Sequence, residues 1–140
     1  MDGDIMTLVG LNFTKVLAER KSDINEKINI SNNVSIVNVE KSEVSFGVKP
    51  QQGLKISFMF HTVYDPDFGN IELHGNLMYI ESDKKIKDIA EDWKKDKKLP
   101  ADLMKPVLNA VLGKCNIQAL VLSRDISLPP PIPLPRVNIK

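Results

Sequence analysis

One pair of alternating segments constrains this chain more than any other feature. Residues 54–64 and 71–80 flank Asp65-Pro66-Asp67-Phe68-Gly69-Asn70, a connection rich in turn formers, and each run has the apolar/polar period of a strand. The pattern predicts an antiparallel hairpin. With Tyr64 opposite Ile71, one face carries Ile56, Phe58, Phe60, Thr62 and Tyr64 against Tyr79, Leu77, Gly75, Leu73 and Ile71. The other carries Lys55, Ser57, Met59, His61 and Val63 against Ile80, Met78, Asn76, His74 and Glu72. This register sets His61 opposite His74. A slip of one residue would scatter the apolar set over both faces. Met59, Val63, Met78 and Ile80 make the second face mixed, which points to a second contact surface.

The preceding chain is strand-like. Residues 11–20 are β-compatible, with Phe13, Val16 and Leu17 as core candidates. Residues 28–40 are rich in Ile, Val, Ser and Asn, with Val34, Ile36 and Asn38 on one face and Val37 and Val39 on the other. Asn32-Asn33 reads as a turn or bulge. Val44, Phe46 and Val48 alternate with polar residues before Pro50-Gln51-Gln52-Gly53 interrupts the chain. Residues 1–10 carry no such pattern, and disorder is the expectation there.

Helical spacing begins at Lys84. Ile86, Ile89, Ala90 and Trp93 form an i, i+3, i+4, i+7 stripe, and Ser82 or Asp83 can cap its start. A second helix should begin near Asp102 and run to about Arg124. Leu103, Val107, Ala110, Val111, Ile117 and Val121 form one stripe, widened by Leu108, Leu112, Cys115, Ala119 and Leu122, so deep burial is expected. Pro106 distorts the first turn or delays the start. Five of the ten residues in Leu128-Pro129-Pro130-Pro131-Ile132-Pro133-Leu134-Pro135-Arg136-Val137 are proline, which excludes helix and central strand. Its apolar residues predict a segment packed on the domain.

A length of 140 residues suits one domain, which buries about two-thirds of the extended chain's surface. A net charge of +1 supplies no global field toward nucleic acid or anionic membrane. No apolar run reaches the ~18 residues of a membrane helix. One cysteine allows no internal disulfide and fits a reducing compartment, so the expectation is a cytoplasmic protein. The acidic start, Met1-Asp2-Gly3-Asp4, is unlike a secretory signal.

Catalytic chemistry finds no purchase. His61 and His74 offer two nitrogens where zinc needs three or four protein ligands. Asp65-Pro66-Asp67 is better explained by turn geometry than by acid–base work. Cys115 sits on an apolar stripe, where a thiol packs rather than reacts. No phosphate loop, metal-ligand cluster or serine elbow occurs. Seven lysines between Lys84 and Lys98 alternate with Asp88, Glu91, Asp92 and Asp96, so that helix has a solvated face rather than a phosphate-binding one. Pro130 and Pro133 satisfy PxxP, but Arg136 is one residue out of step for an SH3 ligand. No enzyme, cofactor or metal is expected.

The order of elements resembles the SecB-type export chaperones and their wider fold superfamily. Leu54–Ile80 looks like the family's long central strands; Leu103–Arg124 followed by Leu128–Val137 looks like its long helix running into an apolar, proline-containing segment. The likeness spans residues 11–137 and is one of pattern and length. The chain departs from it in its balanced charge, in lacking an acidic C-terminal tail, and in the helix at 84–96, which resembles an insertion. The resemblance implies an α+β fold, a four-stranded antiparallel meander backed by a long C-terminal helix. It also implies binding of non-native polypeptide in aromatic-lined grooves, without nucleotide. The matching candidates are Phe58, Phe60, Tyr64, Leu73 and Tyr79. The mixed face, Met59, His61, Val63, Met78 and Ile80, is the candidate subunit or client surface. The expected partners are protein or unfolded polypeptide and further copies of the chain, as a dimer or tetramer. The competing reading is a structural or adaptor subunit docked on a larger, ribonucleoprotein-type assembly.

Overall fold

A computed structural model describes residues 7–23, 27–46 and 49–132. Its elements are β1 (Thr7–Arg20), β2 (Asn29–Phe46), β3 (Lys49–Asp65), β4 (Gly69–Ile80), α1 (Asp83–Asp96) and α2 (Ala101–Asp125). The strands form one antiparallel sheet in the order β1-β4-β3-β2. Three successive strands make a meander, and β1 returns beside β4, the Greek-key order. Its exit crosses the hairpin end, where the Lys21 amide donates to the Phe68 carbonyl at 2.8 Å and Lys21 Nζ meets Asp67 Oδ1 at 3.0 Å.

The hairpin forms with the expected faces but a different register. Tyr64 pairs with Gly69, so His61 lies opposite Glu72 and Met59 opposite His74. The connection is shorter than its sequence suggests: the Phe68 amide donates to the Tyr64 carbonyl at 2.9 Å, and Asp67 takes a positive φ of 63°. A shift of two residues keeps every side chain on its face, which explains why alternation could not distinguish the two registers. What favours the observed one is Phe58 opposite Gly75. A Cβ at Gly75 would stand 2.7 Å from Phe58 Cζ and would also collide with the Asn12 carbonyl. Phe13, paired with Gly75 from β1, meets Phe58 edge to face at 6.3 Å between centroids.

Other strand expectations are corrected. β1 begins at Thr7, inside the stretch expected to be disordered, and Val16 on this outermost strand is 48% exposed. Asn32 and Asn33 pair regularly with Thr62 and His61; the bulge falls between Ile36 and Asn38. The extra residue there flips the alternation, which turns Val39 inward and leaves Val37 half in solvent. Pro50–Gly53 does not interrupt the sheet: Ser45 pairs with Pro50 and Phe46 with Lys49. Because β4 ends opposite Gly53, Pro50 needs no amide donor toward that side.

Both helices lie on the face lined by Leu54, Ile56, Phe58, Phe60, Leu73, Leu77 and Tyr79. α1 covers β2 and β3 through Ile86, Ile89, Ala90 and Trp93, the expected stripe. Ser82 caps it by accepting from the Lys85 amide, and Lys97 ends it in the left-handed conformation. α2 covers β1 and β4. Its start is marked by the Leu103 and Met104 amides donating to the Pro100 carbonyl, and Pro106 is accommodated inside the helix.

The deep burial expected of α2 holds on one ridge only. Leu103, Val107, Val111, Cys115, Ala119 and Ser123, spaced four apart, face the sheet. Ile117 and Val121, expected on the core stripe, are 65% and 38% exposed. A single sheet can cover only one side of a helix, so an apolar band wider than that contact must reach solvent.

Candidate functional site

Three surfaces bring chemically distinctive side chains together. The first lies where the chain after α2 crosses the hairpin end of the sheet. The helix closes with the Leu128 amide donating to the Ser123 carbonyl at 2.8 Å. Leu128 is buried against Gly69, where a Cβ would come 3.2 Å from Leu128 Cδ1. Tyr64 Oη then donates to the Pro129 carbonyl at 2.7 Å, and Asn32 Nδ2 donates to the Pro131 carbonyl at 2.8 Å. Thr62, fully buried, donates its hydroxyl to Asn32 Oδ1 at 2.6 Å, which orients the amide with its NH₂ toward this crossing segment, the strap of residues 128–132. Burial pushes the Tyr64 phenol up to about 12, so it remains a donor. Leu128 and Pro131 are buried at this crossing; Leu134 and Val137, also assigned to the packed tail by the sequence, lie outside the described residues.

The second surface is the sheet face away from the helices. Glu72 accepts from Lys15 Nζ at 2.8 Å and lies 2.8 Å from His74 Nε2, with His61 across the strand pair. The Lys15 bond first, and His74 second, hold the Glu72 carboxyl below its ordinary range. Met59, Val63 and Met78 share this face and are half-buried. Ile80, assigned to the same face, is only 8% exposed.

The third surface is the outward side of α2. Ile117 and Val121 stand on the ridge that also carries the exposed Gly113. Beside them an open groove of about 470 Å³ is lined by Leu120, Val121, Ser123, Arg124, Leu128 and Pro130.

The residues that the resemblance implied as an aromatic-lined groove stay together but are closed to solvent. Phe58, Phe60, Tyr64, Leu73 and Tyr79 are each 1% exposed or less and form the floor of the core beneath the helices and the strap. Tyr79 keeps one polar contact, its hydroxyl donating to Glu81 Oε1 at 3.1 Å, and burial raises its pKa. Met59, His61, Val63 and Met78 do lie together on the open face. Sequence missed the part played by Asn32, because its partner Pro131 is 99 residues away and no local pattern links them. Among the described residues no group of three or more His, Cys, Asp or Glu side chains could hold a metal, and no helix is long and apolar enough to cross a membrane. Cys115 is buried, and burial pushes its thiol up to about 12.

No protein-family model matches this chain, and no curated protein matches it. Among solved structures, the SecB-like chaperone Rv1957 of Mycobacterium tuberculosis, in complex with a ChAD peptide from the Rv1956 HigA1 antitoxin, matches with a TM-score of 0.53. The match covers 96% of this chain and 92% of that one. The fold is SecB-like. Sequence identity is 8%, so the likeness establishes the fold and leaves the site to be argued from this chain's own residues. The SecB-like layout includes a four-stranded antiparallel sheet, a long C-terminal helix and, here, the strap that follows it.

Proposed function

We propose that this chain is a non-enzymatic, chaperone-like module that binds non-native or partner polypeptide through apolar surfaces, and that it works in the cytoplasm as a homo-oligomer. The observation that carries this reading is the uncovered apolar side of α2, Ile117 and Val121 beside the groove at Leu120, Arg124, Leu128 and Pro130. Contiguous apolar exposure of this kind marks a contact surface. The SecB-like chaperone of similar fold is in complex with a peptide, which supports polypeptide as the ligand class by analogy. Met59, His61, Val63 and Met78 supply a second contact surface, where soft methionines can repack against different partners. The aromatic set beneath the helices serves as the rigid floor that positions both.

The test is binding of a reduced, carboxymethylated protein that cannot refold. The expected affinity is about 1–10 μM, weakened at least about tenfold by Val121→Asp. An absence of binding at about 100 μM would overturn the reading. Stoichiometric co-purification with a single complex, without affinity for unfolded chains, would favour the adaptor role instead.

A further inference from the structure

We propose that Tyr64 and Asn32, with the apolar seat at Gly69 beside them, form a binding site for proline-rich peptide segments, held in cis by Leu128–Ile132. The inference rests on the polypeptide-binding reading and specifies one class of ligand for it. Its chemistry is that of a cradle with two donors turned toward the segment. Tyr64 Oη and Asn32 Nδ2 each give a hydrogen bond to a strap carbonyl, at residues 129 and 131. The acceptor on Asn32, Oδ1, is already taken by the buried Thr62 hydroxyl. A segment lying here thus meets both side chains as donors, each aimed at one of its carbonyls.

Proline suits such a site. It has a carbonyl and no N–H, so Pro129, Pro130 and Pro131 satisfy both donors without bringing an amide hydrogen that would lack a partner. An ordinary extended peptide would bring an amide hydrogen to the buried position that Pro131 occupies, and leaving a buried donor unmade is costly. The fixed φ of proline also lowers the entropy lost on ordering. The apolar seat adds directional specificity, because Leu128 is buried over Gly69, its Cδ1 3.2 Å from where a Cβ would stand. The preferred ligand is therefore a Leu-Pro-Pro-Pro-type segment with its leucine at the β4 side and its third proline at the β2 side. Tethering gives the cis strap an effective concentration in the millimolar range, so an external segment must compete at comparable levels unless the strap is loosened.

The experiment uses the full chain and two blocked peptides, acetyl-Leu-Pro-Pro-Pro-Ile-amide and its alanine counterpart acetyl-Leu-Ala-Ala-Ala-Ile-amide. The Leu128 methyl and Ile132 amide resonances report whether the strap is seated. The proline peptide, taken to about 10 mM, should move both toward their free-chain positions, and the alanine peptide should not. Leu128→Asp should raise the affinity for the proline peptide at least about tenfold by removing the competitor, and adding Tyr64→Phe should reverse that gain. If Leu128→Asp does not fold, the titration of the unaltered chain decides. No displacement by the proline peptide, or equal displacement by the alanine peptide, overturns the site. Binding of the carboxymethylated protein to the same sample reads the chaperone function separately. A chain that binds it while keeping its strap seated against the proline peptide loses this site and keeps that function.

Discussion

Phe58 stands directly opposite Gly75, and a Cβ at that glycine would lie 2.7 Å from the Phe58 ring. The missing side chain makes room for an aromatic pair, Phe58 with Phe13, that spans three neighbouring strands. Gly75→Ala should therefore destabilise the fold by about 2–4 kcal/mol, since the methyl meets both backbone and ring. Gly113→Ala supplies the opposite sign. That glycine is exposed in mid-helix with nothing within 4 Å of a Cβ, so alanine should stabilise by about 0.5–1 kcal/mol. Urea unfolding of the two variants checks both signs.

The strap should contribute measurably to stability. Leu128→Ala removes a buried side chain and should cost about 2–4 kcal/mol. Tyr64→Phe removes the donor to Pro129 and should cost about 0.5–1.5 kcal/mol. Truncation after Ser127 removes both contacts and should lower the melting temperature more than either substitution. An unchanged melting temperature after truncation would mean that the strap does not stabilise the domain.

The open sheet face has a pH signature. Glu72 has a folded-state pKa below its unfolded value, so its contribution is present above the unfolded pKa, about 4.3, and is lost as pH falls through the folded value. Glu72→Gln should cost no more than about 1 kcal/mol at neutral pH, because the Lys15 and His74 contacts are partly solvated. The gap between variant and wild type should close in acid. A gap that persists below about pH 3 would assign the effect to something other than the carboxylate charge.

Cys115 should resist thiol reagents. With the thiol pushed up to about 12 and fully buried, labelling at pH 8 should run about 10³-fold slower than in the unfolded chain. Timed alkylation with and without denaturant measures the ratio, and near-equal rates would show that α2 opens readily.

Two faces compete to make the proposed oligomer, and single charges tell them apart. Val121→Asp should yield a monomer if copies join through α2, whereas Met59→Lys should do so if they join through the open sheet face. Sedimentation at tens of micromolar, about the range where weak dimers assemble, reads the result. A wild-type chain that sediments as a 15.7 kDa monomer would remove the oligomer from the proposed function.

What the sequence determined by itself was side, not partner. The two-residue period placed Ile56, Phe58, Phe60 and Leu73 on one face and Met59, His61 and Val63 on the other. The i, i+3, i+4 spacing of Ile86, Ile89, Ala90 and Trp93 placed the buried stripe of α1. Both are properties of a backbone and its own next neighbours, so local pattern suffices. Tertiary structure decided the rest. The hairpin register depended on the turn at Phe68 and on room at Gly75, since registers two residues apart have identical faces. The position of β1 beside β4 depended on a chain crossing that no periodicity encodes. On α2, Ile117 and Cys115 are both apolar, and only the angle at which the helix meets the sheet exposed one and buried the other. The strap is the extreme case: Asn32 and Pro131 meet across 99 residues, and their hydrogen bond exists only because three strands and two helices first bring them together.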